Sequence, residues 1–481
     1  MLARLYYRTW LKPVLLKIAL VSIVLGLSLY IGRSVIHPGN IRTLLGLTLI
    51  FLTLALSIVK PNASIVFVMM YLPLLGLIRR ILIPIAGWGS FDPLVIVAPS
   101  VALLTGSYWF YRLLFLREPI LNDTPVFKLV RLMVLIDLLE VINPRQGSPM
   151  VGISAIIFYV VPLFWMVTAR TVVTEKAMKT IIHIVFVMGI IAALYGLKQT
   201  YFGFYPFEKE WISIVKITSL HVGNLYRALS TTDNPQGYAE FLAEAICVSW
   251  LYVLRGNPLV KIIGLAGTSV IGWALFMESA RGPLILAAAA IAVMTVMYGK
   301  TTKSKVIFGI IVGAVLAVVI LKIFHMHASN NALVQHQIAG ITGKNSTLSG
   351  HISTALSGIW RGAKSVIGYG LGSTTTAASK FSSSNTGAEV DFSNMFLSDG
   401  LAGGIVYLVL MVRMLILGIR AALTRSLVGL FGIGVLVATF EQWVNGELYV
   451  VATIVWITIG YIDRISARSG AGASQVSDSS S

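Results

Sequence analysis

Two short segments place arginines where a membrane protein would meet a negatively charged substrate. One contains Arg227, followed by Asn234-Pro235, and the other is Glu278-Ser-Ala-Arg281-Gly-Pro. Both adjoin apolar runs, where an arginine is costly unless it meets a carboxylate, a phosphate or water. Fixed guanidinium groups in a partly dehydrated site can stabilise a diphosphate leaving group without a metal ion. Either arginine alone would more often reach for lipid phosphates, so only their combination with further polar residues indicates chemistry.

A later segment supplies the other polar groups that such a reaction needs. It holds His351 and Arg361, a Gly368-Tyr-Gly-Leu-Gly372 run, and the acidic pair Glu389 and Asp391. A carboxylate near the arginines can orient or deprotonate an attacking sugar hydroxyl. Taken singly, the acids are typical of solvated loop residues. The glycine run indicates a flexible backbone, because no strand and helix flank it as a dinucleotide site requires.

Two further carboxyls, Glu240 and Glu244, lie four residues apart inside an apolar run and so share one face of a predicted helix. Buried carboxylates in a membrane span usually face the protein interior and pair with a cation. We expect Arg227 or Arg281 to be that cation, and a proton path is the alternative.

The elements that must position these residues are membrane-spanning helices. Of the 481 residues, 57% are hydrophobic and 12% are charged, and the mean hydropathy is +0.85. Apolar runs of about twenty residues, enough to cross a hydrocarbon core of about 30 Å, recur along the chain. The single Cys247 excludes a disulfide framework or a thiolate metal site. The net charge of +18 comes from Lys and Arg at the ends of apolar runs, which follows membrane topology and argues against nucleic acid as a partner.

The sequence predicts an all-α, polytopic helical membrane protein of about fourteen spans, with a long outer loop before the last three. The predicted spans are 13–32, 42–60, 63–82, 93–111, 127–143, 150–169, 180–200, 236–254, 259–277, 283–298, 305–324, 400–419, 427–441 and 446–463. They form one membrane domain over residues 1–464, with outer loops at about 201–235 and 325–399. Residues 465–481 are predicted to be a disordered cytoplasmic tail.

The distribution of cations predicts the orientation of the chain. Short basic loops place both termini in the cytoplasm, because positive residues concentrate on that side. The short loops on the outer side hold far fewer cations, which are Arg33, Arg42, Arg79, Arg80, Arg145 and Arg281. This orientation puts both arginine segments and the long loop on the outer face.

Over about residues 190–410 the sequence resembles the O-antigen ligase and polymerase family, the membrane glycosyltransferases of bacterial surface polysaccharides. The similar segments are Tyr195-Gly-Leu-Lys-Gln199 with Glu208 and Trp211, Arg227-Ala-Leu-Ser-Thr with Asn234-Pro235, Glu278-Ser-Ala-Arg281-Gly282, His351, and the Gly368-Tyr-Gly-Leu-Gly372 run. Ser230 stands where glycine is common, Glu278 and Ala280 depart from the usual small polar residues, and the glycine run lacks its preceding proline. Glu389 falls where family members carry a histidine or an acid, and Asp399 stands near the acidic position of the following turn.

The resemblance implies a polyprenyl-diphosphate-linked oligosaccharide donor and a glycan acceptor, in a bilayer that is the bacterial cytoplasmic membrane. Arg227 and Arg281 would then bind the diphosphate, with His351 and Arg361 beside them. Glu389 would contact the acceptor hydroxyl or act as the base, with Asp391 as the substitute and Arg281 assisting the transfer. We expect no cofactor and no metal site. A flippase and a chain-length regulator are the protein partners that the resemblance suggests.

Three functions fit these observations. The first is an inverting, metal-independent polymerase of O-antigen, capsule or exopolysaccharide repeats, which is favoured because the histidine common in ligases is missing. The second is a ligase that passes the glycan to a lipid or another acceptor. The third is a flippase for lipid-linked oligosaccharides, which is disfavoured because the halves of the chain show no repeat and the polar residues concentrate at the outer face.

Overall fold

The computed structural model describes residues 40–89, 92–114, 123–215, 220–222, 225–301, 303, 335, 348–375, 378, 381, 390–440, 442–444 and 449–478. In these residues the chain is almost entirely helical, with one two-stranded antiparallel hairpin whose strands have two residues each. The predicted all-α class is therefore confirmed.

The helices follow one another with short connections. They are α1 (Ile41–Val59), α2 (Pro61–Tyr71), α3 (Leu75–Ile81), α4 (Ile83–Ala86), α5 (Val97–Leu114), α6 (Pro125–Glu140), α7 (Pro149–Val172), α8 (Glu175–Phe202), α9 (Pro206–Val215), α10 (Pro235–Arg255), α11 (Pro258–Glu278), α12 (Arg281–Tyr298), α13 (Leu348–Ala363), α14 (Asp391–Leu423), α15 (Leu427–Ala438) and α16 (Tyr449–Asp478). Strands β1 (His221–Val222) and β2 (Leu225–Tyr226) precede α10. Short 3₁₀ turns at Leu72–Leu74, Pro93–Ile96 and Pro144–Gln146 link neighbouring helices.

Ten helical stretches in the described part of the chain are long and apolar enough to cross a membrane. They coincide with ten of the predicted spans, so a multi-pass membrane protein is confirmed. The fifth and thirteenth predicted spans correspond to shorter helices, α6 with 16 residues and α15 with 12 residues. The first and eleventh, 13–32 and 305–324, lie outside the described residues, so the count of fourteen stays a prediction. Helix α16 continues to Asp478, through residues for which the composition predicts disorder.

Helix starts follow directly from local sequence. Helices α6, α7, α10 and α11 each begin with a proline, whose missing N–H is one that the first turn leaves unpaired in any case. The residue before each proline is Thr124, Ser148, Asn234 or Asn257, and its side chain accepts a hydrogen bond from a backbone N–H of the first turn. Asn234-Pro235 is thus the start of α10.

The most enclosed element of the bundle is α16, in which 89% of the most apolar window is buried. It packs against α7 and contributes Trp456, while α10 and α15 add Phe241 and Phe431, all of them fully buried. The outward faces of other helices carry exposed apolar side chains, such as Leu52 of α1 at 61% and Ile262 of α11 at 64%. Because lipid tails are as apolar as these side chains, such exposure is what a membrane-embedded bundle requires.

Helix α14 bends sharply near its first quarter. Gly400 has φ of +69° and ψ of −164°, a conformation that favours glycine, and it separates Asp391–Asp399 from the longer part of the helix. The N–H of Leu401, freed by the bend, donates to the carbonyl of Ser365 at 2.8 Å. The bend therefore seats the segment after α13 against α14.

One buried ion pair ties together α6, α7 and α16. Arg170 Nη1 lies 2.6 Å from Asp463 Oδ2, and Thr124 Oγ1 donates to the same oxygen at 2.8 Å. Both charged side chains are at most 2% exposed. A buried charge is tolerated only when it is paired and hydrogen-bonded, so Arg170 and Asp463 depend on each other.

Candidate functional site

The two arginine segments meet at the ends of α10, α11 and α12. Arg227 follows the hairpin directly, and its backbone N–H donates to Leu220 O at 2.7 Å. Its Nη2 lies 2.6 Å from Glu278 Oε1, and its Nε donates to the carbonyl of Glu278 at 3.1 Å. The Glu278 carboxylate is fully buried, whereas the Arg227 side chain is 14% exposed. A paired but partly accessible guanidinium is thus held at the last residue of α11.

Arg281 lies in the same turn, because α11 and α12 are connected by only two residues. Ser279 takes a left-handed conformation, with φ of +69°, and ends α11. Arg281 is the first residue of α12 and is partly buried. Glu278 binds Arg227 and stands three residues before Arg281, so it links the two predicted arginine segments at one turn. The sequence does not identify Glu278 as this link.

Buried polar side chains hold the loop that carries Arg227 through hydrogen bonds to its backbone. Gln199 Oε1 accepts from the N–H groups of Leu229 at 3.1 Å and Ser230 at 2.7 Å. Arg80, which is 1% exposed, donates to the carbonyls of Ser230 and Thr232. Ser230 has φ of +49°, which explains why a glycine is compatible with this position in the motif that the segment resembles.

Glu208 completes this anchor. Its Oε1 accepts from Gln199 Nε2 at 2.6 Å and from the Tyr195 hydroxyl at 3.0 Å, and its Oε2 accepts from the N–H of Tyr205 at 2.9 Å. Arg80 Nε lies 4.0 Å from the same carboxylate. Tyr195, Gln199 and Glu208, which the sequence marks only by resemblance, therefore hold the loop of Arg227 in place.

A second charge network lies at the other end of this loop. Arg79 bridges two acids, with Nε 2.9 Å from Asp92 Oδ2 and Nη1 2.7 Å from Asp233 Oδ1. Arg42 Nη1 also binds Asp92, at 2.5 Å, and both guanidinium groups stack on Trp88. From the sequence, Arg42, Arg79 and Arg80 are recognisable only as cations of the outer side. The sequence does not predict the acids and backbone carbonyls that these three side chains bind.

Asp391 is buried at the start of α14 rather than exposed to solvent. Its Oδ2 accepts hydrogen bonds from the backbone N–H groups of Trp443 and of Val444, the latter at 2.7 Å, and from the Tyr407 hydroxyl at 3.2 Å. These bonds join α14 to the segment between α15 and α16, which is an anchoring role. Glu389, the first candidate for the base, lies outside the described residues.

His351 and Arg361 lie on α13, and both side chains are exposed. This helix packs on α14, with the position of a Cβ at Gly362 only 2.0 Å from Phe396 O. The structure therefore joins Arg227 to the turn of Arg281, and it places His351 and Arg361 on a different element.

The glycine run after α13 is tightly packed. The N–H of Tyr369 donates to Leu397 O at 2.8 Å, and Asn143 Nδ2 donates to Gly368 O at 2.8 Å. A Cβ at Gly368 would lie 1.9 Å from Ser398 O, and Gly370 has φ of +100°. The expectation of a flexible backbone is wrong: glycine is needed here because the chain passes between α14 and the end of α6.

Three buried carboxyls lie under this glycine run. Asp137 and Asp399 are at most 1% exposed, and Glu140 accepts from Asn143 Nδ2 at 2.5 Å. Asp137 and Glu140 belong to α6, and Asp399 lies directly before the bend of α14. Three acidic side chains are therefore buried where α6 packs against α14.

Glu240 and Glu244 are buried on α10, as their spacing predicts. Glu240 accepts from Gln236 Nε2, and among the described residues Glu244 has no hydrogen-bond partner. The expectation that one of them binds Arg227 is wrong, because Arg227 binds Glu278. The neighbouring helix end offers a closer carboxylate, which helical periodicity on α10 cannot reveal.

Within the described ranges, no group of three or more His, Cys, Asp or Glu side chains has the geometry of a metal site. No protein-family model matches the sequence, and no curated protein is significantly similar to it. The functional inference therefore rests on the geometry around Arg227 and Glu278 together with the resemblance of the motifs.

Proposed function

We propose that this chain is a membrane glycosyltransferase of the O-antigen ligase and polymerase type. It transfers polyprenyl-diphosphate-linked glycan units onto an acceptor sugar, as a polymerase of surface polysaccharide repeats. The observation that carries the proposal is the 2.6 Å pair between Arg227 and Glu278, the last residue before the turn that leads to Arg281, since it brings the two predicted diphosphate-binding segments to the same end of the bundle.

In the proposed reaction an acceptor hydroxyl attacks the anomeric carbon and the polyprenyl diphosphate leaves with inversion. Arg227 and Arg281 stabilise the charge that develops on the leaving group, in a site where protein replaces much of the water. Glu278 orients Arg227, and the anchor of Gln199 and Arg80 keeps its loop rigid, as transition-state stabilisation requires. Asp391 already accepts three hydrogen bonds, which favours Glu389 as the carboxylate that meets the acceptor.

The proposed topology has fourteen spans, with both termini in the cytoplasm of a bacterial cell and the arginines on the outer face of its cytoplasmic membrane. Two observations support crossings by the short helices. Helix α6 begins beside Asp463 and ends beside Gly368. Helix α15 begins near Arg425, whose carbonyl accepts a hydrogen bond from the Arg255 side chain, and is followed by Trp443, whose backbone N–H donates to Asp391. Each helix thus connects opposite ends of the bundle.

The test uses purified protein in lipid, a polyprenyl-diphosphate oligosaccharide and EDTA, with products resolved by gel and mass spectrometry. The wild type should produce a ladder of longer lipid-linked glycans. Arg281→Ala should reduce the rate by about 10²–10³, the usual effect of removing one such charge-stabilising group. The control is Arg131→Ala, because Arg131 pairs with Asp123 at 2.7 Å at the far end of α6.

A ladder that persists unchanged in folded Arg227→Ala and Arg281→Ala proteins would refute the proposed roles. No ladder from folded wild type with the correct repeat unit would refute the polymerase. Transfer to a lipid acceptor in the same assay would then identify a ligase, and failure with both acceptors would favour transport.

A further inference from the structure

Helix α13 carries an apolar stripe that faces away from the other residues that the structure describes. Ile352, Leu356 and Trp360 recur at intervals of four residues, and they are 51%, 60% and 69% exposed. The other side of the helix packs on α14 at Gly362, whose Cβ position lies 2.0 Å from Phe396 O, and Gly358, one turn earlier, is also buried. Residues four apart lie on one face of a helix, so α13 has one protein-facing side and one uncovered apolar side.

The uncovered surface continues beyond the end of the helix. Val366 and Ile367, six and seven residues after Trp360, are 68% and 58% exposed. Within residues 352–367, five large apolar side chains thus have more than half of their surface exposed, an exposure that usually marks contact with another surface. The uncovered surface therefore calls for a specific occupant.

The charges beside the stripe are all positive. Arg361 and Lys364 are exposed and follow Trp360 closely, and the Lys364 ammonium lies 5.7 Å from the Trp360 ring. The segment 348–375 contains no Asp or Glu. Ser357 is exposed and lies four residues before Arg361, so these two residues share the polar side of the helix. An apolar stripe ending in an aromatic ring and bordered by cations is typical of helices that lie in a membrane surface.

The position of α13 along the bundle places it at the edge of the hydrocarbon core. The 401–423 part of α14 has a length of about 34 Å at 1.5 Å per residue, which is enough to cross the membrane. Its outward side carries Ile405 and Val412, 49% and 56% exposed, which the bilayer must cover. Helix α13 packs on the part of α14 before Gly400, which directly precedes the lipid-facing part.

We propose that α13 lies in the surface of the adjoining leaflet, inserting Ile352, Leu356 and Trp360 among the acyl chains. Arg361 and Lys364 bind the phosphates of anionic phospholipids there. This membrane contact is independent of the proposed transferase activity, so it can be tested without any substrate. It fixes the height of the glycine run and of α14's first turns relative to the bilayer.

The chain is well suited to a test by site-directed fluorescence, because its single cysteine, Cys247, is fully buried. Leu356→Cys and, separately, Ile352→Cys supply an accessible thiol on the stripe. Ser357→Cys is the matched control, since Ser357 is the next residue, is also exposed, and lies on the polar side of the helix. Each variant is labelled with an environment-sensitive fluorophore and reconstituted into phosphatidylcholine–phosphatidylglycerol vesicles, with or without a lipid that carries a nitroxide high on its acyl chain.

The proposal expects a shift of the emission to shorter wavelength and several-fold stronger nitroxide quenching at 356 and 352 than at 357. A shift without quenching at both stripe positions would mean that protein covers the stripe, and would overturn the proposal. Neither shift nor quenching in protein that elutes as a single species would show that water covers it, with the same consequence. If quenching at 352 and 356 is as strong in vesicles of phosphatidylcholine alone as in those that contain phosphatidylglycerol, the role given to Arg361 and Lys364 is overturned.

Discussion

Replacing Gly368 with alanine is the change whose effect the structure defines most closely. The added Cβ would lie 1.9 Å from Ser398 O and 2.5 Å from Asp399 N, so the obstacle is backbone and cannot rotate away. Moving the loop instead would weaken the bonds that hold Gly368, from its N–H to Glu140 Oε1 and from Asn143 Nδ2 to its carbonyl.

The expected loss follows from these two costs. Overpacking a close contact costs about 1–3 kcal/mol, and each weakened hydrogen bond adds about 1 kcal/mol or less. We therefore expect Gly368→Ala to lower the free energy of unfolding by about 2–4 kcal/mol. Asp137 and Asp399 are buried where α6 crosses α14, close to Gly368. We therefore expect the substitution to weaken the whole contact between these two helices.

The assay is unfolding by SDS titration in mixed micelles, followed by tryptophan fluorescence and protection from proteolysis. The matched control is Gly350→Ala, since Gly350 lies in the first turn of α13 and no atom lies within 4 Å of its Cβ position. This control should be neutral or stabilising by up to about 1 kcal/mol. A Gly368→Ala protein as stable as Gly350→Ala would refute the account of the glycine run.

Three further changes test the anchors of the site. Arg80→Met should lower the unfolding free energy by about 3–5 kcal/mol, because it leaves the buried Glu208 charge without its cation, whereas exposed Lys209→Met should change little; equal effects would contradict the anchor. Asp391→Leu should cost about 2–4 kcal/mol by unpairing two buried N–H groups, and Asp391→Asn should recover part of this; a stable Asp391→Asn protein without transferase activity would instead show a catalytic carboxylate. Arg227→Ala and Glu278→Ala should be non-additive by about 0.5–3 kcal/mol in a double-mutant cycle of stability, and strict additivity would deny that the two side chains interact.

The spans were predictable because length and apolarity alone specify a membrane crossing. Helix α6 was recognisable even with Asp137 and Glu140 inside it, since the flanking apolar residues outnumber them. The partners of the charges were not predictable. Arg80 binds Ser230 and Thr232, about 150 residues later in the chain, and a hydropathy pattern carries no information on such pairings.

The candidate site was predicted in part. The sequence identifies Arg227 and Arg281, and the structure brings their segments together. The sequence alone could not identify Glu278 as the residue that links them, because an acid at the end of a span is equally typical of a solvated turn. The glycine run was misread for a related reason: glycine permits both flexibility and close approach, and only the position of Ser398 O distinguishes them.

The long-range ion pairs can form only late in synthesis, because their two partners lie far apart in the sequence. Arg170 is inserted 293 residues before Asp463 exists, a delay of roughly 15–60 s at bacterial rates of translation. In that interval α7 carries a cation without its partner, and the place of α16 in the bundle is empty. The most enclosed helix is thus made after all the other described helices. A chain that stops before residue 449 lacks both this helix and the Asp463 carboxylate that binds the buried Arg170, and membrane proteases would act on a bundle whose interior is incomplete.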